Sequence, residues 1–228
     1  MRVKTYFSNL DKELLNSQDN SHCVVPISVG QKYHEDKRME STLDLINRSF
    51  KKCTILVCDT LQRYSHFSMI NDKTFEEVTE YSLKAGDEWI KRNQPYIDKL
   101  TIPTVVERWD MWLDHKEFNN YKHQINSLYL TDDDFKRVLD GAVLKYVERL
   151  FIRDNNADLE KAKEMSMQYL KEESAIFFLA TKTNNFNYFI YPTIIDLLDV
   201  LFEKLEYKNL CHRCYLHGLN FKKSNILT

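Results

Sequence analysis

Glycine and proline are scarce, at 4 each in 228 residues. So few breakers exclude a glycine-rich phosphate cradle, and neither a P-loop nor a dinucleotide fingerprint can be assembled from them. Cysteine is sparse too: 5 residues, an odd number without paired spacing, which excludes a disulfide scaffold and fits reduced thiols. No apolar run approaches the roughly 20 residues of a membrane-spanning helix. The opening MRVKTYFSNLDKELLN is polar and mixed in charge, without a stretch of signal-peptide length. The expectation is a cytoplasmic protein with no membrane partner. Neither sign of charge dominates: 32 Lys and Arg against 34 Asp and Glu leave a formal net charge of -2. That excludes the strongly basic balance of a generic nucleic-acid binder but leaves room for a local basic face.

What is abundant is core-forming material. Hydrophobic residues make up 43% of the chain, with 13 Tyr and 13 Phe among them, enough for one compact domain over 1–228. Residues 1–20 read as a flexible N-terminal extension. Cys23 to Val29 is a short apolar run of the kind buried on both faces of a parallel sheet, and Gly30 ends it. Met39, Leu43, Ile46 and Phe50 follow at helical spacing, and TILVCDT (54–60) is a second buried strand. Strand, helix and strand at this spacing form one βαβ unit. Thr74 to Asn93 reads as a long helix with a Thr74/Glu77 capping box, and Pro95 is expected just past its end. A third strand is expected at Thr104 to Trp109. Helices are expected at Asp134 to Phe151, Asp158 to about Leu179 and Thr193 to Leu205, with an aromatic strand at Phe186 to Tyr191. From Tyr207 onward no period is visible. The alternation indicates an α/β fold, a Rossmann-like, mostly parallel sheet with helices on both faces.

In such sheets ligands bind beyond the carboxyl ends of the strands. Ser28 stands there, two residues before Gly30. Local chemistry alone makes it an ordinary turn hydroxyl, because Pro26 breaks the G-x-S-x-G elbow and neither His34 nor His66 completes an evident triad. Tyr169 and Glu173, four apart on one helix, share a face. Cys211-His212-Arg213-Cys214 with His217 suggests zinc, but a second ligand pair is missing, so no metal is expected. Trp109 and Trp112 read as packing anchors.

The motifs together point further. VVPISVGQKY, a helix and then TILVCDT resemble the N-terminal signature of the cyclodipeptide synthases. In that family a serine follows the first strand, a glycine comes two residues later, and an Asp-Thr pair closes the next strand. Here these are Ser28, Gly30, Asp59 and Thr60. Tyr169-x-x-x-Glu173 and Tyr191-Pro192 match the family's later motifs in order and at about its spacing, over roughly 25–210. The family splits by the residue three after the serine and the residue after the later tyrosine. Gln31 and Pro192 place this sequence with the group that carries a variable residue and a Tyr-Pro pair.

The resemblance implies a fold like the class I aminoacyl-tRNA synthetase catalytic domain, but without ATP-dependent charging, since HIGH and KMSKS signatures are absent. It implies an aminoacyltransferase that consumes two aminoacyl-tRNAs and makes a cyclic dipeptide, a 2,5-diketopiperazine, through aminoacyl-serine and dipeptidyl-serine enzymes, with no cofactor. Ser28 would be the nucleophile, Glu173 and Tyr169 would hold the substrate amine, and Tyr191 would position Ser28 or relay a proton. Val24, Pro26, Gly30, Gln31, Leu56, Ile176, Phe189 and Pro192 would surround the aminoacyl groups. Lys84, Lys91 and Arg92, on one face of the long helix, would meet tRNA. A monomer is expected. Two other readings stand beside this one: a serine hydrolase or acyltransferase on a small ester or thioester, which needs a histidine partner, and a non-catalytic tRNA-binding module.

Overall fold

The computed structural model describes residues 2–7, 21–70, 72–192, 195–205 and 212–221. Its centre is a βαβ unit: β2 (His22–Ile27), α1 (Asp36–Ser49) and β3 (Lys52–Val57), with β2 and β3 parallel and paired from His22↔Lys52 to Ile27↔Val57. β4 (Thr104–Arg108) adds to β3 in parallel. On the other side of β2 lies β5 (Tyr188–Tyr191), then β6 (His212–Phe221), both parallel. A first strand, β1 (Arg2–Phe7), closes the edge antiparallel to β6, from Arg2↔Phe221 to Phe7↔Leu216. The sheet order is therefore β1-β6-β5-β2-β3-β4. The sequence shows neither β1 nor β6, and most of the segment read as an extension lies outside the described residues.

Strand alternation builds two cores. Cys23, Val25 and Ile27 of β2, Cys53, Ile55 and Val57 of β3 and Tyr188 and Ile190 of β5 face one side, where Met39, Leu43, Ile46 and Trp89 cover them. Val24, Leu56 and Phe189 face the other, under Trp109, Ile176 and Phe177. Helices cover both faces, and β2 is buried along its whole length, so its continuous apolar run follows from its central place.

The helices are α1, α2 (Arg63–Met69), α3 (Phe75–Ile97), α4 (Trp109–Leu113), α5 (Phe118–Thr131), α6 (Asp133–Arg153), α7 (Leu159–Asn184) and α8 (Asp196–Lys204). The Thr74/Glu77 capping box forms as expected. The expected end of that helix is corrected: α3 continues to Ile97 with Pro95 inside it. In the last turn Pro95 forfeits a single bond, to the carbonyl of exposed Lys91, which water can satisfy. Asp132 caps α6 by accepting from the Phe135 N–H at 2.8 Å. α7 outruns its expected end at Leu179 by a turn and stops where Asn185 adopts a left-handed conformation, φ 51°. No helix among the described residues is long and apolar enough to cross a membrane.

A buried ion pair fastens β3 and β4 to α3. Asp59, fully buried just past β3, accepts from Arg108 Nε at 2.8 Å and from the Thr60 N–H at 2.7 Å. Arg108 also donates to the Leu83 carbonyl at 2.8 Å and pairs with Asp87. Breaking such a buried pair by removing one partner costs about 3–5 kcal/mol. The carboxylate fits because position 86 of α3 is glycine: a Cβ there would lie 2.7 Å from Asp59 Cβ and 2.8 Å from its Cγ. Gly86→Ala is therefore expected to destabilise the fold by about 1–3 kcal/mol, the usual cost of overpacking, despite alanine's better helix propensity. Urea denaturation of the two proteins measures it, and an unchanged or raised midpoint would refute the tight contact.

Candidate active site

Strand order reverses at β2. From it the chain builds outward through β3 and β4 on one side and β5 and β6 on the other. The carboxyl ends of β2 and β5 thus flank the switch point, where open α/β sheets leave a crevice. Proline widens it. Ile27 turns its carbonyl to β3, accepting from Cys58 N at 3.0 Å, while His22 accepts from Asn187 N, just before β5, at 2.9 Å. Even-numbered residues of β2 therefore face β5, and at Pro26 that side lacks an N–H. The β2–β5 ladder stops at Val24↔Phe189.

Ser28 and Tyr191 close the gap with side chains. Ser28 Oγ and Tyr191 Oη lie 2.8 Å apart, and Tyr33 Oη is 3.1 Å from Tyr191 Oη. By parity both residues project to the face covered by α7. A turn sets Ser28: Gln31 N donates to its carbonyl at 3.2 Å, with Gly30 at φ 84° supplying the left-handed corner. The Ser28 N–H donates to His34 Nδ1 at 2.9 Å. His34 is itself pinned, its carbonyl accepting from Trp89 Nε1 at 2.8 Å. Because Nδ1 accepts, the ring proton sits on Nε2, which is buried without a hydrogen-bond partner among the described residues. Burial pushes the His34 pKa down to about 3, so the ring is neutral at any working pH.

α7 supplies the acidic side of the site. Tyr169 is held well above the ordinary phenol range, first by burial and then by the nearby Glu173 charge, with a hydrogen bond from Gln62 opposing. Burial raises Glu173 to about 8. Its side chain keeps some exposed surface, yet no ion-pair or hydrogen-bond partner stabilises the carboxylate among the described residues, and its charge acts on Cys58, Tyr169 and Tyr191. Neighbouring Glu172 is the opposite case. It is buried and accepts from Arg63 at 2.5 Å, Tyr64 Oη at 2.9 Å and Trp109 Nε1 at 2.9 Å. One carboxylate of the pair is locked into structure and the other is left available.

A cavity of about 310 Å³ opens beside Ser28, bounded also by Tyr33, Tyr169 and Tyr191 and walled by α2 and α6. A serine hydroxyl bonded to a tyrosine at one cavity, with Glu173 one turn along α7 from cavity-lining Tyr169, is an arrangement that suits acyl transfer to and from a serine. No protein-family model and no curated protein matches the chain. Solved structures do. The structure of a cyclodipeptide synthase from Fluoribacter dumoffii is 32% identical and superposes with a TM-score of 0.90, covering 96% of this chain and 99% of that one.

The chain belongs to the cyclodipeptide synthases.

A synthase from Candidatus Glomeribacter gigasporarum, solved bound to Phe-tRNAPhe, shares the fold at 17% identity and TM-score 0.75, over 94% of this chain and 96% of that one. Tyrosyl-tRNA synthetase from Archaeoglobus fulgidus, complexed with L-tyrosine, matches at 13% identity and TM-score 0.52, over 90% of this chain and 56% of that one. The fold is thus the Rossmann-like one that cyclodipeptide synthases share with class I tRNA synthetases.

The structure brings Ser28, Gln31, Tyr169 and Tyr191 to one cavity, with Glu173 one turn along α7 from Tyr169. Gly30 lines an adjoining cavity. Pro192 is half-buried beside Tyr191. The expected pocket walls are corrected. Val24, Leu56, Ile176 and Phe189 lie in the core, where Phe177 packs edge-on against Phe189 at 5.1 Å and Trp109 at 5.5 Å, and with buried Pro26 they do not line the Ser28 cavity. Lys84, Lys91 and Arg92 are exposed on α3, and Arg92 pairs with Glu35 at 3.0 Å. Cys211 lies outside the described residues; His212, Cys214 and His217 lie on β6, and no metal-holding cluster occurs among the described residues. The sequence reading missed Tyr33 and the anchoring role of His34. The only hint was their nearness to Ser28.

Glu173 has a consequence for stability. Its folded pKa of about 8 exceeds the model-peptide value of 4.5, so the folded state binds an extra proton between them. Its contribution is complete below pH 4.5 and is lost as pH rises through 8. Glu173→Gln should therefore gain stability on wild type progressively from pH 5 to 9, read from urea midpoints. A constant difference across that range would refute the raised pKa.

Proposed function

We propose that this cyclodipeptide synthase joins two aminoacyl groups from aminoacyl-tRNAs on Ser28, and that it belongs to the group marked by a variable residue at position 31 and the Tyr191-Pro192 pair. The observation that carries the assignment is the Ser28–Tyr191 hydrogen bond of 2.8 Å at the switch point. Ser28 Oγ attacks the activated ester of the first aminoacyl-tRNA. The carbonyl–ribose bond breaks, and the serine proton passes through the Tyr191 and Tyr33 hydroxyls toward the departing ribose oxygen. The α-amine of the serine-bound group then attacks the ester of the second aminoacyl-tRNA, releasing that tRNA and leaving a dipeptidyl-serine. The new terminal amine attacks the serine ester, closes the ring and restores the hydroxyl.

Each amine must lose a proton before it attacks. A carboxyl that titrates near 8 in the empty site can pair with the ammonium and accept that proton within the working range. Tyr169, one turn back, donates to or accepts from the same amine. Lys84 and Lys91 offer phosphate contacts on α3. The fold needs no help from ATP here, because the ester is already activated.

Expression in a bacterial host with mass spectrometry of the medium tests the assignment. Diketopiperazines are expected from wild type and none from Ser28→Ala, while Glu173→Gln should slow formation by about 10²-fold or more. Their absence from well-expressed wild type would overturn the activity, and a normal rate in Glu173→Gln would remove the role given to that carboxylate.

The hydrolase reading requires a histidine base, and the geometry speaks against it: the His34 lone pair is spent on the Ser28 N–H, not on Oγ. His34→Asn keeps an acceptor close to Nδ1 but cannot act as a base. It should retain more cyclic dipeptide formation than His34→Leu, which has no acceptor. Equal and complete loss in both, with both folded by circular dichroism, would favour the histidine-base reading.

A further inference from the structure

The cavity beside Ser28 has an unusual wall. Where the strands and α7 end, α2 and α6 contribute Ser65, Ser68 and Tyr146, and Ser166 of α7 joins them. Ser68 Oγ donates to the Ser65 carbonyl at 2.8 Å and lies 2.9 Å from Tyr146 Oη, so this side is a hydrogen-bonded hydroxyl surface. Arg149 of α6 lies on the same wall, at the border with an adjoining cavity that it also lines. Its Nε donates to the Lys145 carbonyl at 3.0 Å, which fixes the base of the guanidinium, and no carboxylate among the described residues pairs with it. No Asp or Glu lines this cavity or the adjoining one of about 420 Å³, where His66 and Arg153 stand.

A cavity that holds one arginine, several hydroxyls and no acid selects against an apolar occupant, which would strand those groups from water. It favours a group that accepts several hydrogen bonds and carries negative charge, for which a guanidinium is the usual partner. Two anions come near this place during the reaction: the side chain of an aminoacyl group and the phosphodiesters next to the terminal ribose. The chemistry separates them. An acyl carbon at Ser28 carries its own side chain into the cavity that Ser28 lines, whereas the adjoining cavity, which Arg149 also borders, has Arg153 to offer to the ribose phosphates.

Building on the cyclodipeptide synthase assignment, we infer that one of the two aminoacyl groups joined by this enzyme is acidic, aspartyl or glutamyl, and that Arg149 determines this preference by pairing with its side-chain carboxylate. Arg149 is a specificity residue here and takes no part in bond making.

The test uses the full-length purified protein with total tRNA charged with all amino acids, and mass spectrometry of the products. Wild type should give mainly cyclic dipeptides that contain Asp or Glu. Arg149→Gln should lower the ratio of acid-containing to amide-containing products by about ten- to a hundredfold, the range expected when a hydrogen bond to a charged group is lost. Arg149→Lys should keep part of the preference. Arg149 is exposed and bonds only its own helix, so these variants should fold, which circular dichroism checks. Wild-type products of apolar residues alone would overturn the inference and leave the synthase assignment intact. So would a uniform drop in all products with an unchanged ratio, which would assign Arg149 to the tRNA phosphates. No cyclic dipeptide from wild type would overturn both.

Discussion

The proposed active site depends on one seam, the place where β2 and β5 stop pairing. Backbone hydrogen bonds hold the strands together up to Val24 and Phe189. Past that point Pro26 offers no donor, and two side-chain hydroxyls, Ser28 and Tyr191, take over the link at 2.8 Å. The seam must be open for a substrate to reach the serine and yet fixed well enough to hold it in place. The protein meets both demands by anchoring what lies around the seam. The Gly30 turn and the His34 ring hold the Ser28 backbone, and Trp89 holds His34 from the opposite core.

The two adjacent glutamates show how position, not residue type, assigns a job. Glu172 and Glu173 lie in the same charged run of the same helix. One turns into a nest of three donors and becomes part of the scaffold. The other acts on Tyr169, Tyr191 and Cys58 without a partner for its charge among the described residues, and burial raises its titration to about 8.

The central βαβ unit was readable because β2, α1 and β3 each carry a continuous or periodic apolar pattern, and the Thr74 capping box is a local signature that needs no tertiary context. The resemblance then located Ser28, Tyr169 and Tyr191, which the fold gathers at one cavity. What stayed hidden is what depends on distance along the chain. β1 and β6 are each other's partners from opposite ends, so neither carries the pattern of an independent strand. α5, FNNYKHQINSLYLT, buries only Phe118, Tyr121 and Ile125, too sparse a stripe to stand out. Much of the cavity wall comes from helix faces on α2, α6 and α7, whereas Val24, Leu56 and Phe189, expected there from the strands, lie in the core. Those strand residues are the ones the core consumes.

The pairing of the first strand with the last has a consequence for how the molecule is made. β1 is synthesised long before β6, its partner in the sheet among the described strands. The central strands can assemble while synthesis continues, and β5 cannot be covered on its outer edge until β6 arrives. Until β6 is made, β1 is therefore a waiting segment, and the sheet edge it will protect does not exist. Closure of this sheet edge is tied to the arrival of β6, through a contact of large sequence separation.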